Sequence, residues 1–173
     1  MPQLKPGSWK RVGVVVLALM FLYGAAMGTA STSPLEGQRA PSFTAPIVAD
    51  ALHAQGETFD LEAHTGRTIV LDFWASWCPP CRASVPVLAA FADAHPEVDV
   101  LGVNVETGRD EAWVGRAHSS LRGTYPTVHD ASGALQQAYV ITQLPTLLVI
   151  RDGLVVASHV GVVDDAWLDA HAL

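Results

Sequence analysis

The sequence contains very little cysteine, and this scarcity limits the chemistry available to the chain. Only Cys78 and Cys81 occur among the 173 residues. A tetrahedral zinc site needs four ligands, and no histidine lies near this pair in the sequence. The seven histidines are dispersed, and we expect them to be surface residues rather than ligands: His53, His64, His95, His118, His129, His159 and His171. The sequence therefore predicts neither a metal site nor a bound cofactor.

Basic residues are equally scarce beyond the first eleven positions. Lys5, Lys10 and Arg11 are three of the ten basic residues, and the other seven are scattered arginines. The acidic residues all come later, so the chain after Arg11 has seven basic against seventeen acidic residues and a net charge of −10. A nucleic-acid-binding surface needs clustered positive charge. We therefore expect no nucleic-acid partner.

No charged residue occurs between Arg11 and Glu36, and an apolar run fills the start of this interval. Basic residues followed by such a run are typical of an export signal. The run has 16 residues from Val12 to Met27, and 19 if it continues to Ala30, whereas a membrane-spanning helix needs roughly 20. Residues 1–30 are therefore predicted to be either a cleaved signal peptide or an uncleaved signal anchor that tethers the protein to the membrane.

Either alternative places the rest of the chain outside the cytoplasm, in the periplasm or at the cell-envelope face, with the basic end inside. Residues 31–42 are small and polar and contain two prolines, which is typical of a linker. Residues 43–173 are then expected to form one domain, because half of the composition is apolar and supports a core.

Strands and helices alternate along this predicted domain. Residues 68–74 are almost all β-branched or aromatic, which predicts a strand buried on both faces. Apolar residues at helical spacing after Cys81 predict a helix that closes before Pro96. Further strands are predicted at 43–48, 57–61, 98–105, 127–129, 146–150 and 154–160, with helices at 110–121, 134–139 and from Asp164 or Asp165 onward. This order predicts an α/β sandwich around a mixed sheet.

The two cysteines follow the buried strand directly, three positions apart. Thiols at this spacing can close a disulfide and open it again, and the N-terminus of the following helix favours the first thiolate. A purely structural bridge would remove little chain entropy because its loop is so short. A redox-active pair is the leading interpretation, with a structural bridge or a metal site as the alternatives.

Two motifs carry a resemblance to a known family. They are Asp72-Phe-Trp-Ala-Ser-Trp-Cys-Pro-Pro-Cys-Arg82 and, some sixty residues later, Gln143-Leu-Pro-Thr146. They resemble the thioredoxin superfamily, and most closely its TlpA/ResA-like (DsbE-like) exported thiol-disulfide oxidoreductases, over about residues 40–173. The resemblance implies a thioredoxin-like three-layer sandwich that acts on protein disulfides as substrates.

The resemblance also implies roles for individual residues. Cys78 would be the exposed nucleophile, and Cys81 the buried thiol that resolves the mixed disulfide. Pro145 would follow a cis peptide bond and face the cysteines, while the Leu144 backbone pairs with an extended substrate. The residues expected to bind substrate are Trp77, Pro79, Pro80, Leu144 and Thr146.

Asp72 is the only charged residue of the buried strand, where an unpaired carboxylate is costly and burial raises its pKa. Its thioredoxin counterpart moves the proton of the buried cysteine; the alternative is an aspartate at a strand edge that reaches water. The chain departs from the family at Ser84, where some relatives place a glutamate. Glu106 resembles another family glutamate near the site, although a solvated carboxylate is equally consistent with the sequence.

Pro79 and Pro80 supply neither an N–H donor nor a positive charge to the Cys78 thiolate, which predicts a reducing rather than an oxidising protein. The family implies a membrane-embedded thiol donor as partner and apocytochrome c, or copper-site assembly, as a target. A peroxidase is one alternative, but Leu71 and Ala75 occupy positions where peroxiredoxins have proline and threonine or serine. A Cu(I) chaperone is another, but all three methionines lie in the first 27 residues.

Overall fold

Seven strands and four α-helices make up the part of the chain that the computed structural model describes, residues 33–48, 52–54 and 56–173. The strands are β1 (Thr44–Pro46), β2 (Thr58–Asp60), β3 (Thr68–Trp74), β4 (Val98–Asn104), β5 (Thr127–His129), β6 (Thr146–Arg151) and β7 (Leu154–Val160). The helices are α1 (Pro79–Ala94), α2 (Glu111–Ser120), α3 (Ala134–Ala138) and α4 (Asp165–Ala172), and a short 3-10 helix spans Leu61–His64. The predicted signal segment, residues 1–30, lies outside the described residues.

A mixed five-stranded sheet, in the order β5-β4-β3-β6-β7, forms the middle layer. The central strand β3 pairs in parallel with β4 and antiparallel with β6. Strands β1 and β2 form a separate antiparallel pair. Because β3 has a neighbour on both sides and helices on both faces, residues 69–74 are all buried, which explains why every one of them except Asp72 is apolar.

Two apolar cores cover the two faces of the sheet. Val70 packs with Val85 and Leu88 of α1 and with Leu168 of α4. Leu71 and Phe73, which point the other way, belong to a second cluster that includes Val114 of α2. The predicted α/β sandwich with a mixed sheet is therefore confirmed.

Helix starts follow from local capping. The Asp110 carboxylate accepts a hydrogen bond from the Trp113 N–H (2.7 Å), and Asp164 does the same for Trp167 (2.8 Å). Each aspartate satisfies a backbone donor that the first turn of a helix leaves unpaired. Capping of this kind depends on neighbouring residues only, which is why the sequence located both helices to within a residue or two.

The residues predicted to be a linker are part of the folded unit from Ser33 onward. The Gly37 N–H donates to the Val155 carbonyl (2.8 Å), and the Ala40 N–H donates to the Gly153 carbonyl (2.9 Å). Because β7 is an edge strand, its outer backbone groups need partners, and this segment supplies them. The folded unit thus begins earlier than Phe43.

His118 corrects the expectation that every histidine lies on the surface. It is fully buried in α2, with its ring 5.2 Å from the Trp74 ring and 4.7 Å, edge-on, from the Tyr125 ring. His118 lies on the side of α2 that faces the sheet, and this position explains its burial. Its polar neighbours in the sequence gave no sign of it. No helix within the described ranges is long and apolar enough to cross a membrane.

Candidate active site

The two cysteines are joined by a disulfide at the start of α1. Cys78 is the N-cap residue of this helix, and its Sγ accepts a hydrogen bond from the Cys81 N–H at 3.2 Å. Pro79 and Pro80 begin the helix, where a missing N–H costs nothing. The Cys78 sulfur therefore occupies the position at which helix N–H groups and the macrodipole favour negative charge.

The cysteines differ in their access to solvent. Cys78 is 3% exposed, and Cys81 is 0% exposed. The prediction that Cys81 is buried agrees with this geometry, whereas the prediction of an exposed Cys78 is wrong for the disulfide form, because neighbouring groups and the bond to Cys81 cover most of its surface. Cys78 nevertheless borders an open groove, and Cys81 does not.

The groove has a volume of about 350 Å³ and lies beside the disulfide. Four of the predicted substrate-binding residues line it: Trp77, Pro79, Pro80 and Leu144. Four further lining residues were not predicted: Val105, Gln136, Thr142 and Gln143. Trp77 is 64% exposed and lies at the rim of the groove. Every lining side chain is uncharged.

Thr146 is the one predicted substrate-binding residue that does not line the groove. Its side chain is buried, and its hydroxyl donates to the Gln143 carbonyl at 2.8 Å. The hydrogen bond shapes the loop that precedes β6, so Thr146 contacts the groove only through its neighbours. The sequence motif could not distinguish a lining side chain from one that supports the loop.

The peptide bond between Leu144 and Pro145 is cis. Thr146 lies opposite Phe73 in the β3–β6 pairing, so the preceding loop lies at the end of the sheet where β3 leads into the cysteines. The Pro145 carbonyl accepts a hydrogen bond from the Gly161 N–H at 3.0 Å. This arrangement brings the Leu144–Pro145 segment and Cys78 to the same edge of the sheet.

Asp72 is fully buried, so the alternative in which it reaches water is wrong. Its Oδ2 accepts a hydrogen bond from the Tyr125 hydroxyl at 2.9 Å, and its Oδ1 has no hydrogen-bond partner among the described residues. Burial raises the pKa of Asp72 to about 7, and the Tyr125 hydrogen bond opposes that rise. The carboxyl group can thus gain or lose a proton near neutral pH.

Glu106 is also buried, at 5% exposure, which rules out the solvated carboxylate that the sequence left open. Its Oε2 accepts hydrogen bonds from the Ser76 N–H (2.7 Å) and from the Asn104 side-chain amide (3.4 Å). Arg82 Nε donates to the Ser76 carbonyl at 2.9 Å. The short segment before Cys78 is therefore held by a carboxylate on one side and a guanidinium on the other.

Ser84 occupies the position where some relatives have a glutamate, and it is fully buried. Its hydroxyl oxygen accepts a hydrogen bond from the Val163 N–H at 3.2 Å, which ties α1 to the segment before α4. A serine of this size links two pieces of backbone where a glutamate would bring a charge.

Tyr125 is the main site residue that sequence reasoning missed. It lies 53 positions from Asp72, and no spacing rule connects the two. Its position beside Pro126, just before a predicted strand, was the only local signal that it enters the core. In the part of the chain that the structure describes, no group of three or more histidine, cysteine, aspartate or glutamate side chains forms a metal-binding cluster.

Comparison with known proteins shows which families and proteins the chain is similar to. Residues 35–171 match the Redoxin family model. The sporulation thiol-disulfide oxidoreductase A of Bacillus subtilis is 33% identical over 101 residues, which cover 57% of this chain and 61% of that protein, so the match spans less than two thirds of its length. The thiol-disulfide oxidoreductase ResA of the same species is 27% identical over 156 residues, covering 90% of this chain and 84% of that protein.

Solved structures agree with this assignment. A thiol:disulfide interchange protein of the thioredoxin family from Chlorobium tepidum superposes with a TM-score of 0.64 at 26% identity, covering 76% of this chain and 91% of that one. The predicted thioredoxin-like fold, the resemblance to ResA-like proteins and the predicted enzyme class, thiol-disulfide oxidoreductase, are confirmed by these relatives. The chain belongs to the Redoxin family.

Proposed function

We propose that this protein reduces disulfides of exported proteins outside the cytoplasm, using the Cys78–Cys81 dithiol. The observation that carries the proposal is the asymmetry of the pair. Cys78 is the helix N-cap and borders an uncharged groove, whereas Cys81 is sealed behind it. A nucleophile that meets the substrate and a resolving thiol that meets only the nucleophile are what disulfide exchange requires.

In the reduced protein, the Cys78 thiolate attacks one sulfur of a substrate disulfide. A bond forms between Cys78 and that sulfur, the substrate disulfide breaks, and the other substrate sulfur leaves as a thiolate that takes a proton from water. Leu144 and the backbone around the cis peptide bond border the groove in which an extended substrate segment lies. The mixed disulfide is the intermediate.

Resolution then needs the Cys81 thiolate. Cys81 gives its proton to Asp72 and attacks the Cys78 sulfur; the Cys78–Cys81 bond forms, and the bond to the substrate breaks. The released substrate sulfur takes a proton from water, and two electrons have passed from the dithiol to the substrate. The raised pKa of Asp72, about 7, suits a carboxyl group that accepts and returns a proton at neutral pH.

The oxidised protein must be recharged by an outside dithiol, and we propose a membrane-embedded thiol donor for this step. The apolar segment from Val12 to Met27 supports export, and it brings the domain to the membrane if it is not cleaved. The oxidised haem-binding cysteines of apocytochrome c are the substrate we propose on family grounds. Pro79 and Pro80, with no N–H and no positive charge, support the reducing direction.

The test is to trap the substrate. The Cys81→Ser variant, expressed in its own membrane context, should accumulate mixed disulfides at Cys78, and the Cys78→Ser variant is the matched control that should not. The identity of the trapped protein names the substrate. A reduction potential near that of thioredoxin, about −270 mV, is expected; one near that of DsbA, about −120 mV, would contradict the reducing direction.

A further inference from the structure

Tyr125 lies just before β5 and is almost entirely buried. Its hydroxyl reaches across the sheet to Asp72 and donates a hydrogen bond to Oδ2 at 2.9 Å. The second carboxyl oxygen, Oδ1, is buried and has no hydrogen-bond partner among the described residues. The tyrosine thus makes the two oxygens of one carboxyl group different from each other.

Packing holds the Tyr125 ring in this position. The His118 ring meets it edge-on, with the ring centroids 4.7 Å apart, and the His118 centroid also lies 5.2 Å from that of the Trp74 ring. Gly123 closes the turn over His118 so tightly that a Cβ atom there would come within 2.2 Å of Nε2. An aromatic ring fixed in this way delivers its hydroxyl to one place without further loss of rotamer freedom.

Cys81 lies on α1, near the same end of the sheet as Asp72. Helix α1 packs through Val85 and Leu88 on the sheet face that carries Val70, and Asp72 lies on the same face, two residues further along β3. Cys81 precedes Val85 by one helical turn, so it lies toward the end of β3 that carries Asp72. Cys81 and Asp72 thus lie near the same end of β3, and Oδ1 is the carboxyl oxygen that Tyr125 does not occupy.

We infer that Tyr125 is a positioning residue for disulfide exchange: its hydroxyl occupies Oδ2 of Asp72, so that Oδ1 is the atom that exchanges a proton with Cys81. The inference rests on the proposed role of Asp72 as the proton acceptor in resolution. No bond changes at Tyr125 itself, which keeps its own proton throughout. Its contribution is to favour the charged carboxylate in a site where burial disfavours it.

The groups around Asp72 determine in which direction loss of the Tyr125 hydroxyl should shift the pKa of Asp72. Tyr125 faces it from the segment before β5, and His118 lies behind Tyr125 on α2. Helix α1, which carries Cys81, packs through Val85 and Leu88 on the same face of the sheet. The neighbouring positions on β4 and β6 are Gly102 and Leu147, which do not titrate. Burial raises the pKa of Asp72 and the Tyr125 hydrogen bond lowers it, so removal of the hydroxyl should raise the pKa further.

The experiment compares full-length wild type with Tyr125→Phe, which keeps the ring and removes the hydroxyl. The Asp72 carboxyl is titrated by 13C NMR in the reduced protein, and the rate of resolution of a preformed mixed disulfide is measured against pH. Loss of a hydrogen bond to a charged group should move both midpoints upward by about 1–2 pH units. Tyr139→Phe is the matched control, because its buried hydroxyl donates to the Pro41 carbonyl instead, and it should move neither midpoint.

A double-mutant comparison separates positioning from general packing. In an Asp72→Asn background, Tyr125→Phe should no longer change the pH profile, whereas a purely structural effect of the tyrosine would persist there. If the wild-type profile depends on Asp72 but Tyr125→Phe leaves it unmoved, the inference about Tyr125 is overturned and the proposed function stands. If wild type and Asp72→Asn give the same profile, the proposed role of Asp72 fails and the inference fails with it.

If Tyr125→Phe does not fold, the same two midpoints are measured in a protein with 3-fluorotyrosine in place of Tyr125. The fluorine makes the hydroxyl a stronger donor with almost no change of shape, so both midpoints should move downward. Midpoints that stay unchanged in the fluorinated protein would overturn the inference.

Discussion

Two carboxylates, Asp72 and Glu106, are buried at the same end of the sheet, yet their surroundings differ. Asp72 has a single hydrogen-bond donor, the Tyr125 hydroxyl, and one oxygen without a partner among the described residues. Glu106 accepts from a backbone N–H and from an amide side chain. Burial alone therefore does not decide what a carboxylate does; the number of donors directed at it does.

This difference separates a group suited to proton transfer from one suited to holding structure. Fixed donors around Glu106 tie it to Ser76, in the segment just before Cys78. Asp72 has one carboxyl oxygen without a hydrogen-bond partner among the described residues, and burial raises its pKa to about 7, so the group can exchange a proton near neutral pH. Both carboxylates serve the dithiol in our proposal, one by orienting the chain and the other by moving a proton.

The largest expected effect is on stability, from Asp72→Asn. The folded wild type retains the Asp72 proton up to a pH of about 7, whereas a free aspartyl group loses it near 3.8. Between these values the folded state binds more protons than the unfolded state, so the free energy of unfolding of the wild type falls as pH rises. Asp72→Asn lacks the titrating group, so its free energy of unfolding should not show this fall. The difference in free energy of unfolding between variant and wild type should therefore shift in favour of the variant by up to about 4 kcal/mol from pH 3 to pH 8.

Urea unfolding of the oxidised proteins at pH 3, 5 and 8 measures this prediction. Asp169→Asn, at an exposed position of α4, is the matched control and should follow the wild type at every pH. A constant difference between wild type and Asp72→Asn across the pH range would contradict the role assigned to burial.

Asp72→Asn should also lower the rate of disulfide exchange. Without a carboxylate to accept the Cys81 proton, resolution of the mixed disulfide at pH 7 should slow by about 100-fold, a typical loss for a general base. The measurement is single-turnover reduction of a peptide disulfide. The first attack, followed separately in a Cys81→Ser background, should keep its wild-type rate, and an equal slowing of both steps would argue against a role confined to resolution.

Glu106→Ala should destabilise the protein by about 2 kcal/mol, because the half-buried Ser76 N–H loses its charged acceptor. Chemical denaturation provides the measurement. Glu106→Gln, which retains an acceptor oxygen, should recover much of the lost free energy; failure to recover any would show that the negative charge itself is required.

The smallest expected effect is at Ser84, a neutral polar group in the same core. Ser84→Ala removes the acceptor of the Val163 N–H and should cost about 1 kcal/mol at every pH. Ser119→Ala, on the exposed surface of α2, is the control and should change the free energy of unfolding by less than about 0.5 kcal/mol. A pH-dependent loss at Ser84 would mean that this position senses the charge of Asp72.

Sequence reasoning succeeded where the signal is local. The bounds of β3, β5 and β7 were predicted to the residue, because runs of β-branched residues and flanking turns depend on neighbours only. The cysteine pair, its prolines and the burial of Asp72 were readable in one continuous stretch. Reasoning from the sequence failed at Cys78 and His118, where exposure depends on what the rest of the fold places above each side chain.

The order of strands and helices, the redox chemistry of a cysteine pair at a helix start, and the isolation of one carboxyl group within an apolar strand were determined by the sequence itself. Only the tertiary structure decided which donors reach which carboxylate. Tyr125 and Asp72 are 53 positions apart, and Ser76 and Glu106 are 30 apart. Such pairs meet through strand order and register, and these follow from the packing of the whole chain rather than from any local pattern.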